Sequence, residues 1–323
     1  VIDALIRRAR WLLPLLVVAL LLPLASPWLH GQGGSWAWLL DLAVHWQGLY
    51  AAAWVPVVIL VGWRDRRGWM LGLLALLPWW TAAPRLTTAD AMADAARFTV
   101  VSANVHFDTT SPAALQDWLR QAPADVLVLL EVSPAYAAAL AAWPDYPQRV
   151  IEAADNPFGI AVLSRHPFAE SQVVRDARGI ASIAVAIDTP QGCVALRAVH
   201  PMPPISPDDK ATRDRFLAAT AAALAAGGWP SLMAGDFNAT PWSSAFAALT
   251  ATGWQRAAGL APTWPVAGRG AIGIPIDQVV VSRHWRRIDS GRGPDLGSDH
   301  FPLRVVLARA PSAPCSPRAN PGR

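Results

Sequence analysis

The chain has 323 residues, of which 53% are hydrophobic and only 15% charged. That is too apolar for an ordinary soluble protein, so its length is read as one sizeable domain plus a membrane-facing portion. The net charge is +4, but residues 97 to 309 hold 18 Lys and Arg against 18 Asp and Glu, a balance of zero that weighs against polymeric DNA as a substrate.

The apolar excess lies near the N-terminus. Trp11 to Leu29 is 19 residues without a charge, enough for about 28 Å of helix. Leu39 to Gly62 follows with only Asp41 and His45 near its start, and Trp69 to Ala83 adds 15 residues, about 22 Å and the shortest of the three. A bundle of three transmembrane helices, 11–29, 39–62 and 69–83, is therefore expected, the third with a re-entrant or interfacial helix as its alternative. Arg7, Arg8 and Arg10 before an apolar run also resemble a secretory leader, but two more runs would not follow a cleaved one.

Arginines at 7, 8, 10 and at 64, 66, 67, against none in 31–35 and only Arg85 in 84–96, place everything after the third helix outside the cytoplasm. Trp11, Trp28, Trp36, Trp38, Trp63, Trp69, Trp79 and Trp80 fall near the run ends, as interface anchors do. Asp41 and His45, four apart on one helical face, are expected near the interface rather than as a buried polar pair.

Residues 84–96 read as a linker. Then the pattern turns to strands: Phe98 to Val105, Asp125 to Glu131, Gly159 to Ser164, Ile180 to Ile187, Cys193 to His200, Ser231 to Asp236, Ile276 to Ser282 and Pro302 to Leu307. Helices are expected at Pro112 to Gln121, capped by Ser111, at Pro207 to Ala226 and at Trp242 to Thr252. Many strands with interspersed helices argue for a two-sheet α/β sandwich covered by helices. The tail 310–323 has no periodicity and is expected to be disordered. Cys193 falls in a strand and Cys315 in that tail, so no structural disulfide is expected.

Polar residues end these strands. Asn104 closes the first, Glu131 the second, His200 the Cys193 strand, Asp236 and Asn238 the one after it, and Asp277 opens Ile276-Asp277-Gln278-Val279; Gly297-Ser298-Asp299-His300-Phe301-Pro302 precedes the last. Taken singly each has a dull reading, such as a satisfied core histidine, a salt-bridge partner or a turn cap. A carboxylate at a buried strand end is costly without a partner, and six such endings point to one shared site. Glu131, helped by Asn104 and Asp299, offers hard oxygen ligands suited to Mg²⁺ or Mn²⁺. His300 beside Asp277 would be a histidine held and charged by a carboxylate.

Ser102-Ala103-Asn104, Leu130-Glu131, Gly159 to Arg165, Val199-His200, Gly235-Asp236-Phe237-Asn238-Ala239, Ile276 to Val279 and Ser298-Asp299-His300-Phe301-Pro302 together resemble the ordered motifs of the endonuclease/exonuclease/phosphatase superfamily. The resemblance covers about 97 to 307. It implies a four-layer α/β/β/α sandwich of two mainly antiparallel sheets and Mg²⁺-dependent cleavage of phosphoester bonds. By that resemblance Glu131 is the principal metal ligand, with Asn104 and Asp299 contributing, and Asp236 positions the attacking water. Asn238 and His200 hold phosphate oxygens, His300 paired with Asp277 acts as base or charge stabiliser, and Asp299 assists it. Arg165 is structural or meets substrate. His106 stands where the abasic-site branch has an aspartate, and His200 is closer to the deoxyribonuclease and sphingomyelinase branches, so a DNA-repair role is not expected.

The expectation is a membrane-anchored, Mg²⁺-dependent phosphoesterase of a bacterial inner membrane, cleaving phosphodiester or phosphomonoester bonds, with a periplasmic catalytic domain at 97–309. Its partners would be the bilayer and a phosphate ester, with no protein partner implied. An envelope DNA endonuclease, a lipid phosphodiesterase of sphingomyelinase type and a catalytically silent scaffold are the alternatives. Nucleic acid, phospholipid and inositol phosphate are not distinguished.

Overall fold

The computed structural model describes residues 2–63, 65–83 and 97–315. The expected linker, Arg64 and the last residues of the tail lie outside them. The chain divides into two compact units. Unit 1 is Val1–Ala83, Pro203–Arg215 and Ala239–Ala248, and unit 2 is Pro84–Met202, Phe216–Asn238 and Leu249–Arg323.

In unit 1, helix α1 (Ile2–Leu21) runs through a 3-10 turn at Leu22–Ala25 into α2 (Ser26–Leu29). Pro23 lacks an N–H, and the tighter turn falls where that donor is missing. Asp3–Leu29 is the one stretch, among the described residues, that is long and apolar enough to cross a membrane as a single helix. The second run is not straight: α3 (Ser35–Val44) and α4 (Gln47–Gly62) meet at 65° and make a span only if the bent pair is counted as one. The third run is a 3-10 segment (Arg66–Leu76) and α5 (Leu77–Thr81), too short to cross. The expected three-helix bundle is thus corrected to one candidate helix, or two with the bent pair.

The bend has a polar cause. Asp41 and His45 are buried inside unit 1 rather than lying at an interface. Asp41 accepts from Arg213 (2.6 Å) and from the Ser244 N–H (2.8 Å) and hydroxyl (2.9 Å), while His45 Nδ1 meets the Thr240 hydroxyl at 2.8 Å. A helix carrying these groups needs protein partners that lipid cannot supply.

Unit 2 holds two sheets. The first has the order β11-β12-β1-β2-β4-β3, built from β1 (Arg97–Asn104), β2 (Val126–Leu130), β3 (Gln148–Glu152), β4 (Ile160–Ser164), β11 (Arg286–Arg292) and β12 (Leu303–Ala308). The second, β5-β6-β7-β8-β10-β9, comprises β5 (Phe168–Arg175), β6 (Ala181–Thr189), β7 (Gly192–Val199), β8 (Ser231–Asp236), β9 (Gln255–Arg256) and β10 (Asp277–Val281). Each sheet is mixed: β1 and β2 are parallel, as are β7 and β8, and the other pairings are antiparallel. β3, β5, β9 and β11 were not foreseen. β5 and β11 are largely exposed edge strands with polar residues on them, so they lack the apolar runs of the central strands.

Alternation sorts the central strands into two cores. Val100, Val128, Leu130 and Val162 face Val185, Leu196, Leu232 and Val279 between the sheets. Val101, Leu127, Leu129 and Leu163 face outward and are covered by Leu115 and Leu119 of α6 (Ala113–Gln121) and Tyr136 and Leu140 of α7 (Pro134–Ala141). Pro112 is the cap of α6 rather than its first residue. The second half of α8 (Pro207–Ala226) lies on the outer face of the second sheet, and α9 (Ser244–Ala251) follows β8.

The cysteines depart from expectation. Cys193 and Cys315 form a disulfide across a separation of 122 residues, which ties the start of the tail to β7. Ser312 and Ala313 extend the tie, the Ser312 N–H donating to Gln191 O (2.8 Å) and Ala313 O accepting from Cys193 N–H (2.9 Å). Gly192 makes room: at φ +106 its Cβ would stand 2.1 Å from Ser312 O. Residues 310–315 are therefore anchored, against the expectation of disorder.

Candidate active site

Strand direction brings the predicted residues to one end of the sandwich. β1 and β2 are parallel with Asn104 opposite Leu130, so Asn104 and Glu131 emerge side by side. β7 and β8 are parallel with Val199 opposite Gly235, so His200 and Asp236 emerge together, and antiparallel β10 starts with Asp277 opposite Asp236. Gly235 is required for that closeness. Its φ is +147, and a Cβ there would stand 1.9 Å from Val199 O.

At the centre are Asp236, Asp277 and His300, each buried, with one ligand atom apiece within 4.8 Å of the others. His300 Nδ1 meets Asp277 Oδ2 at 2.9 Å, and its Nε2 lies 3.8 Å from Asp236 Oδ2. His200 Nε2 approaches the same Asp236 oxygen at 3.7 Å. Burial and the Asp277 charge push the Asp236 carboxyl up to about 7, against the pull of His300. Burial alone would lower His300, but Asp277, by charge and hydrogen bond, holds it up at about 9. Burial pushes His200 down to about 4 despite the nearby Glu131 carboxylate, so it is neutral at pH 7.

Glu131 stands at the edge of this group. Its two oxygens accept from Asn104 Nδ2 (2.8 Å) and the Phe107 N–H (3.2 Å). Its φ of +62 is a left-handed conformation uncommon for a residue with a side chain, and the surrounding contacts hold it there. Glu131 raises both His200 and Asp236 by its charge, which places the three in one electrostatic neighbourhood. Asn238 caps the arrangement: its N–H donates to Asp236 Oδ1 (2.7 Å) and its Nδ2 to Pro201 O (3.0 Å).

Two predicted residues fall differently. Asp299 is exposed and accepts from the Trp264 indole N–H at 3.0 Å; it acts on His300 by charge but does not join the buried cluster. Arg165 is not at the site. β4 is antiparallel to β2 and pairs Ser164 with Val126, so Arg165 leaves at the sheet end opposite Glu131, its guanidinium 5.4 Å above the Tyr146 ring.

The structure adds residues the sequence did not single out. Ser298 Oγ donates to Asn104 O (2.8 Å) and accepts from the His300 N–H (3.1 Å), joining the two motifs. The Phe158 and Trp264 rings lie 5.7 Å from His200 and 6.3 Å from His300. Ser298 was legible as the residue opening Ser-Asp-His; Phe158 and Trp264 carried no signal.

These donors fit a divalent cation. Glu131, Asp236, Asp277 and Asp299 bring four carboxylates against one imidazole with a raised pKa, an excess of negative charge that a hard cation would balance. Asp277 Oδ1 is buried with no hydrogen-bond partner, so an acceptor is left over as well.

No relative was found among curated proteins. Among solved structures, the chain is similar to an endonuclease/exonuclease/phosphatase from Beutenbergia cavernae (20% identity, TM-score 0.55, covering 66% of this chain and 72% of that one). It is also similar to a humanized TDP2 of D. rerio (16%, 0.54, 65% and 98%) and to sphingomyelinase C from Streptomyces griseocarneus (17%, 0.50, 65% and 99%). At these identities the likeness is one of fold. The sequence profile of the Endonuclease/Exonuclease/phosphatase family matches residues 101–300, the span that contains every residue of the site, and the chain belongs to that family.

Proposed function

We propose that the chain is a phosphoesterase that hydrolyses phosphodiester bonds with Mg²⁺ or Mn²⁺, held beside a membrane by its N-terminal helices with unit 2 on the non-cytoplasmic side. One observation carries the chemistry: at the end of a buried sandwich, Asp236, Asp277 and His300 bring ligand atoms within 4.8 Å of one another, with His200 against Asp236 and the Glu131 charge acting on both.

Glu131 and the Asn104 carboxamide oxygen are assigned to the cation, with Asp299 nearby. Protonated on both nitrogens, His300 has no lone pair left for a metal; its Nδ1–H donates to Asp277 Oδ2 and its Nε2–H faces Asp236 Oδ2 3.8 Å away. The bound cation supplies Lewis-acid polarisation of a phosphoryl oxygen. Asp236, poised near neutrality, orients the attacking water and accepts its proton. His300, kept protonated and oriented by Asp277, donates to the oxygen on which charge develops. Neutral His200 and the Asn238 carboxamide hold the other phosphate oxygens without adding charge.

The membrane reading is supported by Trp11, Leu15, Val18 and Trp28, all exposed along the 27-residue apolar helix, and by exposed Trp36, Trp63, Trp69, Trp79 and Trp80. The Cys193–Cys315 disulfide supports an oxidising compartment. A lipid phosphodiester is favoured over DNA by the zero charge balance of residues 97–309 and by the exposed apolar helix. The full chain in zwitterionic nanodiscs with Mg²⁺ tests this, offered headgroup-labelled vesicles, plasmid DNA and an aryl phosphomonoester in turn, with Asp236→Asn as the control. Release from vesicles that vanishes in the variant is expected. Plasmid nicking alone would move the assignment to a nuclease, and product formation undiminished by Asp236→Asn would reject the site.

A further inference from the structure

On the outer face of β5, β6 and β7 lies a cleft of about 710 Å³, away from every residue assigned to hydrolysis and formed within unit 2. Its volume comes from small side chains. Arg197 stands opposite Ala184, which stands opposite Gln172, and in the next row Ala195 and Ala186 are neighbours. Across from this floor, α8 contributes Ala219 and Ala223 where bulkier residues would have closed the gap.

Arg197 is the one strongly polar group in the floor without a counterpart. It is half-buried, its Nε is buried with no hydrogen-bond partner, and it forms no ion pair among the described residues. Burial pulls its pKa below the usual arginine value. Two acids also line the cleft. Asp176 accepts from the Arg178 and Ile180 N–H groups, and Glu170 lies a row away, opposite Ala186.

Arg175, which also lines the cleft, is paired with Glu152, and Thr220 adds a hydroxyl; the apolar part of the wall is Phe216 and Leu224 of α8 with Trp229 beyond them. A half-buried guanidinium without a counter-ion is unfavourable until an anion arrives, and its planar fork suits the paired oxygens of a phosphate or carboxylate. The volume is that of an ordinary small-molecule site. We propose that this cleft binds a small amphiphile, its oxyanion head on Arg197 and its apolar body along Phe216 and Trp229, as a ligand site separate from the hydrolytic one.

The test reads binding without turnover, so it stands or falls independently of the proposed chemistry. The full chain in zwitterionic nanodiscs is heated with hexyl phosphate, with inorganic phosphate and with hexanol. Hexyl phosphate is expected to raise the melting temperature saturably by about 3 °C or more, with neither half-ligand matching it. Arg197→Met should abolish that shift while leaving the ligand-free melting temperature unchanged or higher, because it removes an unpaired charge. Ala184→Phe, which fills the cleft and keeps the arginine, should abolish it too. A shift retained in either variant, an equal shift with inorganic phosphate alone, or no saturable shift at all would overturn the proposal.

Discussion

His300 lies between two buried carboxylates, bonded to Asp277 at 2.9 Å and 3.8 Å from Asp236, while Glu131 binds Asn104 at the edge of the group. Under the proposed chemistry this separation divides the roles. Glu131→Gln should weaken Mn²⁺ binding about tenfold or more, whereas Asp277→Asn should leave that affinity nearly intact and lower kcat by about 10²–10³; calorimetry and steady-state kinetics read the two, and the opposite pattern would exchange the assignments. The protonation of His300 gives a second test. Its folded pKa of about 9 exceeds the ordinary 6.5, so with a chelator present its stabilisation is complete below about pH 6.5 and is lost as pH rises through about 9. Asp236, raised from 3.8 to about 7, also costs stability as pH rises, but that loss is over by the time His300 titrates. Between pH 7 and 9.5 the metal-free protein should therefore lose on the order of 3 kcal/mol, a loss that His300→Gln removes. Parallel stability curves for wild type and variant would contradict the pairing.

At the scale of elements, strand direction decides what the sequence could reveal. Asn104, Glu131, His200 and Asp236 were legible because each closes an apolar run whose C-terminal end reaches the same rim. Arg165 closes such a run too, but β4 runs antiparallel to β2 and delivers it to the far end. Nothing in the local pattern distinguishes the two cases. Helix ends in unit 1 hid for a related reason. Asp41 pairs with Arg213 172 positions away, and with Asp214 and Lys210 they form a buried set of two acids and two bases, Lys210 Nζ lying 2.9 Å from Asp214. Their partners could not be read from a window of sequence, so the second apolar run looked like a straight span. Asp41→Ala leaves this set one positive charge in excess and should destabilise unit 1 by about 3–5 kcal/mol, with Asp41→Ala/Arg213→Met recovering part of the loss in thermal unfolding. A cost below about 1 kcal/mol for the single variant would show that the pair does not hold the bend.

On the scale of the whole molecule, composition announced an apolar N-terminal portion and the succession of strands and helices an α/β sandwich, and both are present. The number of crossings was overcounted because apolar length cannot show a 65° bend or a 3-10 segment. The disulfide was missed because Cys315 lies in a stretch with no periodic pattern, 122 residues from its partner. The proposed chemistry depends on a cation held at this rim. The most direct test is phosphodiester turnover by the full chain, followed as free Mg²⁺ is restored after chelation, alongside Glu131→Gln and His300→Asn. Turnover should be absent without the cation, return saturably with it, and fall about 10²-fold or more in each variant. Hydrolysis that persists in chelator, or that survives both substitutions undiminished, would contradict the account.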